Sequence, residues 1–489
     1  MLAGGGAAGM SGVRVEARTD QAWPAVRAGA APNRRRADSL PLALALGAAA
    51  VALPFVVVPA WYDAYYWPKV CVLYAAVAVG ALSLLRMSGG SWLRDLGGPL
   101  GTALGAWLAA LVLATALSVN PMLSFVGEDY RYEGLLTWLA YGALAAVSAT
   151  VLRNPRRLRT ILGLILAGAA VMSGLALLQH LGFSPVPVDV TRRGWVRAWG
   201  TTGSPLALGA YIVLLLPLIV ALYAESRGSR QFAYGALAVA LYAAIVATEA
   251  RAEWGALALG LGVWGVTAGR AAVRRAARPL VVLAVVCAAA TPAVLLTGPR
   301  AALGHVSDAG SATSRLFIWR TAAPLVIERP VLGWGPDTLA QVYPAYGTPA
   351  FLRVFPEAAM QHIIVDRAHN DLLQQAIAAG LLGLAAYLWF WCTVFHSAWQ
   401  TARARVYGDH GLRRGDDTRS LLVDPRVIGP GLVGGFAAYF AQLQLSFSYV
   451  SVAPLFWVLL GAVAALRPRV VWGGSPELAD RFRGSSSRV

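Results

Sequence analysis

The sequence predicts an all-α, polytopic membrane protein with about twelve transmembrane helices. Three observations predict it. Of 489 residues, 57% are hydrophobic and only 13% charged, about half the ~25% charged share of a soluble domain. Apolar runs near the ~20 residues needed to span a bilayer recur along the chain. The basic residues also sort with those runs, which gives the chain an orientation.

The apolar runs fall at about 39–60, 69–85, 99–119, 134–152, 160–182, 204–223, 231–248, 253–269, 279–297, 370–398, 427–447 and 452–466. With the N-terminus placed inside, the inner segments hold 29 Lys/Arg against 11 Asp/Glu, and the outer segments hold 12 against 13. The opposite orientation violates the positive-inside rule at nearly every loop, so both termini are expected in the cytoplasm. The net charge of +17 is thereby read as topology rather than as a nucleic-acid-binding surface. Residues 1–38 form a basic cytoplasmic tail of disordered composition, too long and basic for a cleavable signal sequence. Residues 39–297 hold the first nine helices. Residues 298–369 are the one large outer loop. Residues 370–466 hold three more helices and a basic inner loop, 399–426, and residues 467–489 are a second cytoplasmic tail. Cys71, Cys287 and Cys392 all lie within apolar runs, as small buried hydrophobes rather than disulfide partners. Neither a Walker loop nor a dinucleotide fingerprint is present.

Orientation selects against outer arginines, so those that persist call for a reason. The early outer loop, "GEDYRYEGLL", carries Glu128, Asp129 and Glu133 around Arg131, a spacing that favours ion pairs over a divalent-metal site. The only lysine, Lys69, is also outer. "TRRGWVRAWGTTGSPLALGAY" brings Arg192, Arg193 and Arg197 to a turn that opens a helix with its N-terminus outward. Such an N-terminus attracts anions; its tryptophans alone would be an ordinary interfacial belt. In "VATEARAEWGALALG", Arg251 lies in a very short turn between two helices, flanked by Glu249 and Glu253. It reads either as a snorkelling arginine paired with those glutamates or as an anion ligand on a rigid mount, because its planar fork grips phosphate.

The outer loop contains "SRLFIWRTAAPLVIERPVLGWGPDTLAQVYPAY". Its pattern through 315–328 suits an amphipathic helix at the interface, ended by Pro330 and followed by a turn at "GWGPD". The loop closes on "DRAHNDLLQQAIAAGLLGLAAYL". There Asn370 can cap the tenth helix. Arg367 and the helix N-terminus disfavour a second positive charge on His369, leaving a neutral imidazole able to accept a proton. The small residues Ala376/Gly380 and Ala379/Gly383 have the spacing of close helix packing. His362, Asp366, His369 and Asp371 match no zinc spacing, so no metal is expected.

These stretches, in this order, resemble the O-antigen ligase and polymerase superfamily of bacterial membrane glycosyltransferases. "GEDYRYEGLLTWLAY" looks like its early outer loop, "GTTGSPLALGAYIVLLLPL" like its Gly-Thr-x-Gly-Asn-Pro segment and "ATEARAEWGALALG" like its Ser-Arg-Gly turn. The 314–346 stretch is similar to its long-loop signature, "AHNDLLQQAIAAGLLGL" to its His-Asn motif and "LSFSYVSVAPLFWVLLG" to its closing helix. The likeness covers about residues 40–470. Ser204 stands in place of Asn, Ala250 and Ala252 flank the turn arginine, and Ala378 replaces a common glutamate.

The resemblance implies a GT-C-like fold and transfer of a glycan from an undecaprenyl-pyrophosphate carrier to an acceptor hydroxyl. It places the reaction on the outer face of the cytoplasmic membrane, inverting and without cofactor. It implies His369 as the base and Arg251, Arg315, Arg197 and Arg193 as pyrophosphate ligands. Asn370, Arg320, Tyr343, Arg131 and Lys69 stand in support. The acceptor is a lipid core, a protein or a growing polysaccharide. Two other readings stay open: a peptidoglycan-type polymerase, which would rely on an outer aspartate such as Asp308 or Asp337, and a lipid-linked glycan transporter, which would carry ionisable residues at mid-membrane depth.

Overall fold

The helix starts explain much of the layout. Four helices begin at a polar cap followed by proline: Asn120 before α4 (Pro121–Val126), Asn154 before α6 (Pro155–His180), Ser204 before α7 (Pro205–Glu225) and Asp424 before α16 (Pro425–Leu443). In each the side-chain oxygen accepts a first-turn N–H, while proline occupies a position whose N–H would otherwise be orphaned. Ser204 thus performs the capping that the family's asparagine would, its Oγ 3.3 Å from the Leu206 amide.

The computed structural model describes residues 40–88, 98–184, 197–297, 310–354, 365–403 and 421–467. Arg192, Arg193, His305, Asp308, His362, both tails and most of the 399–426 loop lie outside them. All twelve apolar runs coincide with helix. The others are α1 (Leu40–Gly47, extended by turns to Phe55), α2 (Trp67–Ser88), α3 (Pro99–Ala116), α5 (Leu135–Val151), α8 (Gly228–Ala247), α9 (Arg251–Ala268), α11 (Ala277–Thr297), α15 (Asp371–Ala402) and α17 (Ala453–Leu466), with a short α10 (Arg270–Arg275) before α11. Seven of these helices are long and apolar enough to cross a membrane. The runs at α1, α5 and α17 are shorter, and α9 and α16 carry more polar or small residues. The structure therefore supports a polytopic membrane protein without fixing twelve crossings.

Helix α7 is the hub: 94% of its most apolar window is buried, against α8, α9 and α16. Glycines on α16 let backbones touch; a Cβ at Gly435 would lie 2.3 Å from the Leu214 carbonyl, and one at Gly434 2.6 Å from the Gly260 carbonyl. The α3, α5, α15 and α17 helices pack around Trp107, Tyr141, Phe390 and Trp457, whose rings stack on one another. The cysteines depart from expectation. Cys71 and Cys392 are exposed and Cys287 is half-buried, because an apolar helix face in a membrane protein can be satisfied by lipid instead of by a core.

The long loop folds as its own small unit. Helix α12 (Gly310–Glu328) buries Ile318, Ala322 and Leu325 along one face, against Leu339, Val342 and Tyr343 of α13 (Leu339–Tyr346); α14 (Thr348–Val354) follows. The helix is present and ends before Pro330, but it is not the amphipathic helix expected: apolar Leu316 and Ile327 are exposed while Ile318, Ala322 and Leu325 pack on protein.

The main correction concerns α15, which is not one continuous span. At Gly380 the backbone leaves helical geometry (φ 65°). A regular helix would join the N–H groups of 381 and 382 to the carbonyls of 377 and 378. Instead the carbonyls of Ile377 and Ala378 accept from Trp334 and Gly335 at 2.8 and 2.9 Å. The amides of Leu381 and Leu382 donate to Pro330 and Val331 at 2.7 and 3.4 Å. The segment 330–335, ending in "GWG", is inserted into the broken helix and satisfies both sides. Gly380 is therefore a break point rather than a packing residue; a Cβ there would sit 2.3 Å from the Val331 carbonyl. Ala378 contributes a backbone acceptor to this junction, with its side chain buried.

Gly380→Ala should destabilise the protein by about 2–4 kcal/mol, through the left-handed φ and the backbone clash. Gly105→Ala, on α3 with nothing near its Cβ, should be neutral or slightly stabilising. Thermal unfolding in detergent distinguishes them; equal midpoints would refute the docked break.

Candidate active site

At the end of the bundle where α15 begins, His369 is held from both sides. The Ala368 N–H donates to Gln374 Oε1 at 3.0 Å, and the Ala368 carbonyl accepts from Trp319 Nε1 of α12 at 2.8 Å. Asn370 caps α15 through Leu373 N–H at 2.9 Å, and its amide donates to the Gln444 carbonyl at 3.3 Å. His369 itself has φ 51°, a left-handed conformation that costs a non-glycine residue roughly 1–3 kcal/mol. Among the described residues, the other non-glycine positive-φ positions are Tyr130, Tyr132, Glu249 and Asp337, all in loops at this same end.

Around the imidazole lies a positive field. Burial, then the charges of Arg315 and Arg367, pull the His369 pKa down to about 4; Asp366 opposes them and Arg131 adds to them. The ring is neutral at neutral pH. Its Nδ1 is buried without a hydrogen-bond partner, and the ring edge packs on Phe447 at 5.2 Å between centroids. Arg367 stacks over the same Phe447 at 3.8 Å and pairs with Asp366 at 2.9 Å.

Arg315 is half-buried on α12. Burial lowers its pKa, opposed by Glu253 and Tyr449, with Arg251 adding like-charge repulsion. Arg197 shows the same pattern, with Glu249 joining the opposing carboxylates; its Nε donates to the Thr248 carbonyl at 2.7 Å. Arg251 is therefore within electrostatic reach of both Arg197 and Arg315, and Arg315 is within reach of His369. The short Arg251 turn is closed by Thr248, whose Oγ1 accepts the Ala250 N–H at 3.2 Å, so no serine is needed at 250.

The supporting residues fall into two groups. Asn370 shapes the His369 loop directly. Arg131 is buried in an ion pair with Asp337 at 3.1 Å and donates to the Asp366 carbonyl at 3.0 Å. The other Asp337 oxygen accepts the Glu128 and Glu133 amides at 2.9 and 3.3 Å. This clamp ties the early loop to "GWGPD" and to the His369 loop. Lys69 is buried, with its ammonium donating to the carbonyls of Val56, Tyr65 and Thr201 at 2.8, 2.8 and 2.9 Å. Tyr343 is buried against Thr321 in the loop's own core. Arg320 is exposed on α12. Asp371 turns inward to Tyr387, away from any ligand set with Asp366 and His369, and no three His, Cys, Asp or Glu side chains among the described residues converge on a metal position.

Sequence reasoning missed Tyr449, on the loop joining α16 to α17. It bears on Arg197, Arg315 and Arg367 together, and burial raises its pKa to about 12. It named Glu253 only as a partner for Arg251, and it missed Gln442; both side chains are fully buried. The only signal was the cluster of polar residues in "QLQLSFSYVS" between two apolar runs.

Residues 235–388 match the family model described as O-antigen ligase. This stretch, just under a third of the chain, is similar to the O-antigen ligase domain. The domain runs from α8 to the middle of α15, and so contains Arg251, Arg315, Asp337, the docked break and His369. Arg131, Arg197 and Tyr449 of the site lie outside the matched stretch. The match agrees with the superfamily that the ordered motifs resemble, and the apolar helices make the chain a polytopic membrane protein. No curated protein matches the chain.

The Arg131–Asp337 pair is a buried clamp, so Arg131→Ala should lower stability by roughly 3–5 kcal/mol by stranding the Asp337 charge. Pairing it with Asp337→Asn should recover part of that loss. A thermal-shift double-mutant cycle measures the coupling; simple additivity would dismiss the clamp.

Proposed function

We propose that the protein is an inverting, metal-independent glycosyltransferase. It moves a glycan from an undecaprenyl-pyrophosphate carrier to an acceptor hydroxyl on the extracytoplasmic face of the cytoplasmic membrane. The observation that carries this reading is an uncharged imidazole set beside a group of arginines, in a loop whose backbone is fixed on both sides of it. The acceptor hydroxyl attacks the anomeric carbon as His369 takes its proton. The bond from that carbon to the pyrophosphate oxygen breaks on the opposite face, which inverts the centre. The charge that develops on the leaving pyrophosphate is stabilised by Arg251, Arg315 and Arg197, with Arg193 a further candidate outside the described residues. The energy resides in the donor, so no nucleotide is required.

The depressed pKa of His369 has a use here. The site without donor is overloaded with positive charge, which disfavours imidazolium. Bound pyrophosphate offsets Arg315, and the proton affinity of His369 then rises. The imidazole becomes a stronger base when the donor is in place.

The peptidoglycan-type alternative would need an uncommitted outer aspartate. Asp337 has both oxygens engaged. The transporter alternative would place charges at mid-depth, whereas Lys69, Glu253 and Asp371 all lie in the first turn of their helices.

His369→Ala should abolish transfer from purified lipid-linked glycan while the protein stays folded; full activity would overturn the mechanism. Arg251→Lys should also lose most activity, since an ammonium cannot form the bidentate contact; a mild effect would return Arg251 to a snorkelling role. Activity requires neutral His369, so it is lost as pH falls through the histidine pKa. The acid limb of kcat/KM, which reports free enzyme, should lie near pH 4, and that of kcat, which reports the donor complex, at higher pH. Coincident limbs would contradict the charge offset.

A further inference from the structure

The far end of the bundle carries a second feature. A groove of about 660 Å³ runs along the last half of α9 and the last turns of α15, floored by α16. Its floor and walls include Ala258, Gly262 and Val433; Leu259 and Val266 on its rim are 51% and 75% exposed. These are apolar side chains on helices of a membrane protein, so the groove opens toward lipid. It lies away from His369, since α9 and α15 both start at the active site and the groove follows their opposite ends.

One end of this apolar groove is not apolar. His396 and Trp399 line it. Arg403 stacks its guanidinium on Trp399 at 4.3 Å. His396 Nε2 bonds the Gln400 amide nitrogen at 2.8 Å, and Gln400 Oε1 accepts from Arg467 Nε at 2.9 Å. Two guanidiniums are thus joined by direct contacts to the groove's polar end. Neither forms an ion pair with an acidic side chain among the described residues. An apolar trough with cations at one end is complementary to an acyl chain that ends in an anionic headgroup. A neutral lipid would leave the cations unanswered, and a soluble anion would leave the trough unfilled.

We propose that this groove is a binding site for an anionic phospholipid of the bilayer. One acyl chain lies along Ala258, Gly262 and Val433, and the headgroup phosphate is held by Arg403 and Arg467. The site is independent of the donor-binding arginines and does not rest on the glycosyltransferase reading.

Native mass spectrometry of the full-length protein in detergent tests it, with phosphatidylglycerol, phosphatidylcholine and undecaprenyl phosphate as probes. Phosphatidylglycerol should be retained over phosphatidylcholine by on the order of tenfold. Arg403→Gln/Arg467→Gln should remove that preference, and Arg403→Lys/Arg467→Lys should keep it. Gly262→Leu, which fills the trough, should reduce retention of both phospholipids. Equal retention of the two phospholipids by the native chain, or a preference that survives the Gln pair, would overturn the proposal. Stronger retention of undecaprenyl phosphate than of phosphatidylglycerol would also overturn it, assigning the groove to the carrier. Retention of no lipid would point to occupation by the chain's own inner loop.

Discussion

An open backbone cannot be left unpaired in an apolar surround, and the architecture at the active end follows from that constraint. Breaking α15 at Gly380 exposes two carbonyls and two amides. The segment 330–335, ending in "GWG", answers all four. Because that segment continues α12, the break fixes where the whole outer unit sits on the bundle. Trp319 of α12 then reaches the Ala368 carbonyl and sets the backbone of the next residue, His369. The left-handed geometry of His369 is sustained by these neighbours rather than by its own preference.

The same end concentrates charge. Arg197, Arg251, Arg315, Arg367 and Arg131 would repel one another in isolation. They are held by an interleaved set of acceptors. Asp337 and Asp366 anchor Arg131 and Arg367 into the scaffold. Glu249, Glu253 and Tyr449 offset the charge of Arg197, and Glu253 and Tyr449 that of Arg315. The division is physical. Arg131 and Arg367 are tied to carboxylates and carbonyls of the scaffold, while Arg197 and Arg315 feel their carboxylates through the field. Burial first, and this surplus of positive charge second, keep the histidine neutral.

Much of this was legible in the sequence. The apolar runs gave the helices, because length and hydropathy alone dictate them. The cap-proline pairs gave the helix starts. The outer arginines stood out against the orientation bias, and the His-Asn pair at a helix start marked the site. The break in α15 was not legible. "AAGLLGL" has the small-residue spacing of helix packing, and local sequence does not say that a partner segment 45 or so residues upstream will enter the helix. Lys69 and Tyr343 misled for a related reason: their chemistry fits a site, but burial spends it on carbonyls and on a threonine. Tyr449 went unnoticed because its role comes from three arginines on separate segments, which only the tertiary fold assembles.

Lys69 is the sole lysine of the chain, and all three of its N–H donors are committed in a buried site joining three segments. A reagent selective for side-chain amines therefore meets no target in the native fold. The ammonium becomes reactive only when the segments around Val56, Tyr65 and Thr201 separate. The protein carries, in one residue, a built-in chemical reporter of the opening of its active end.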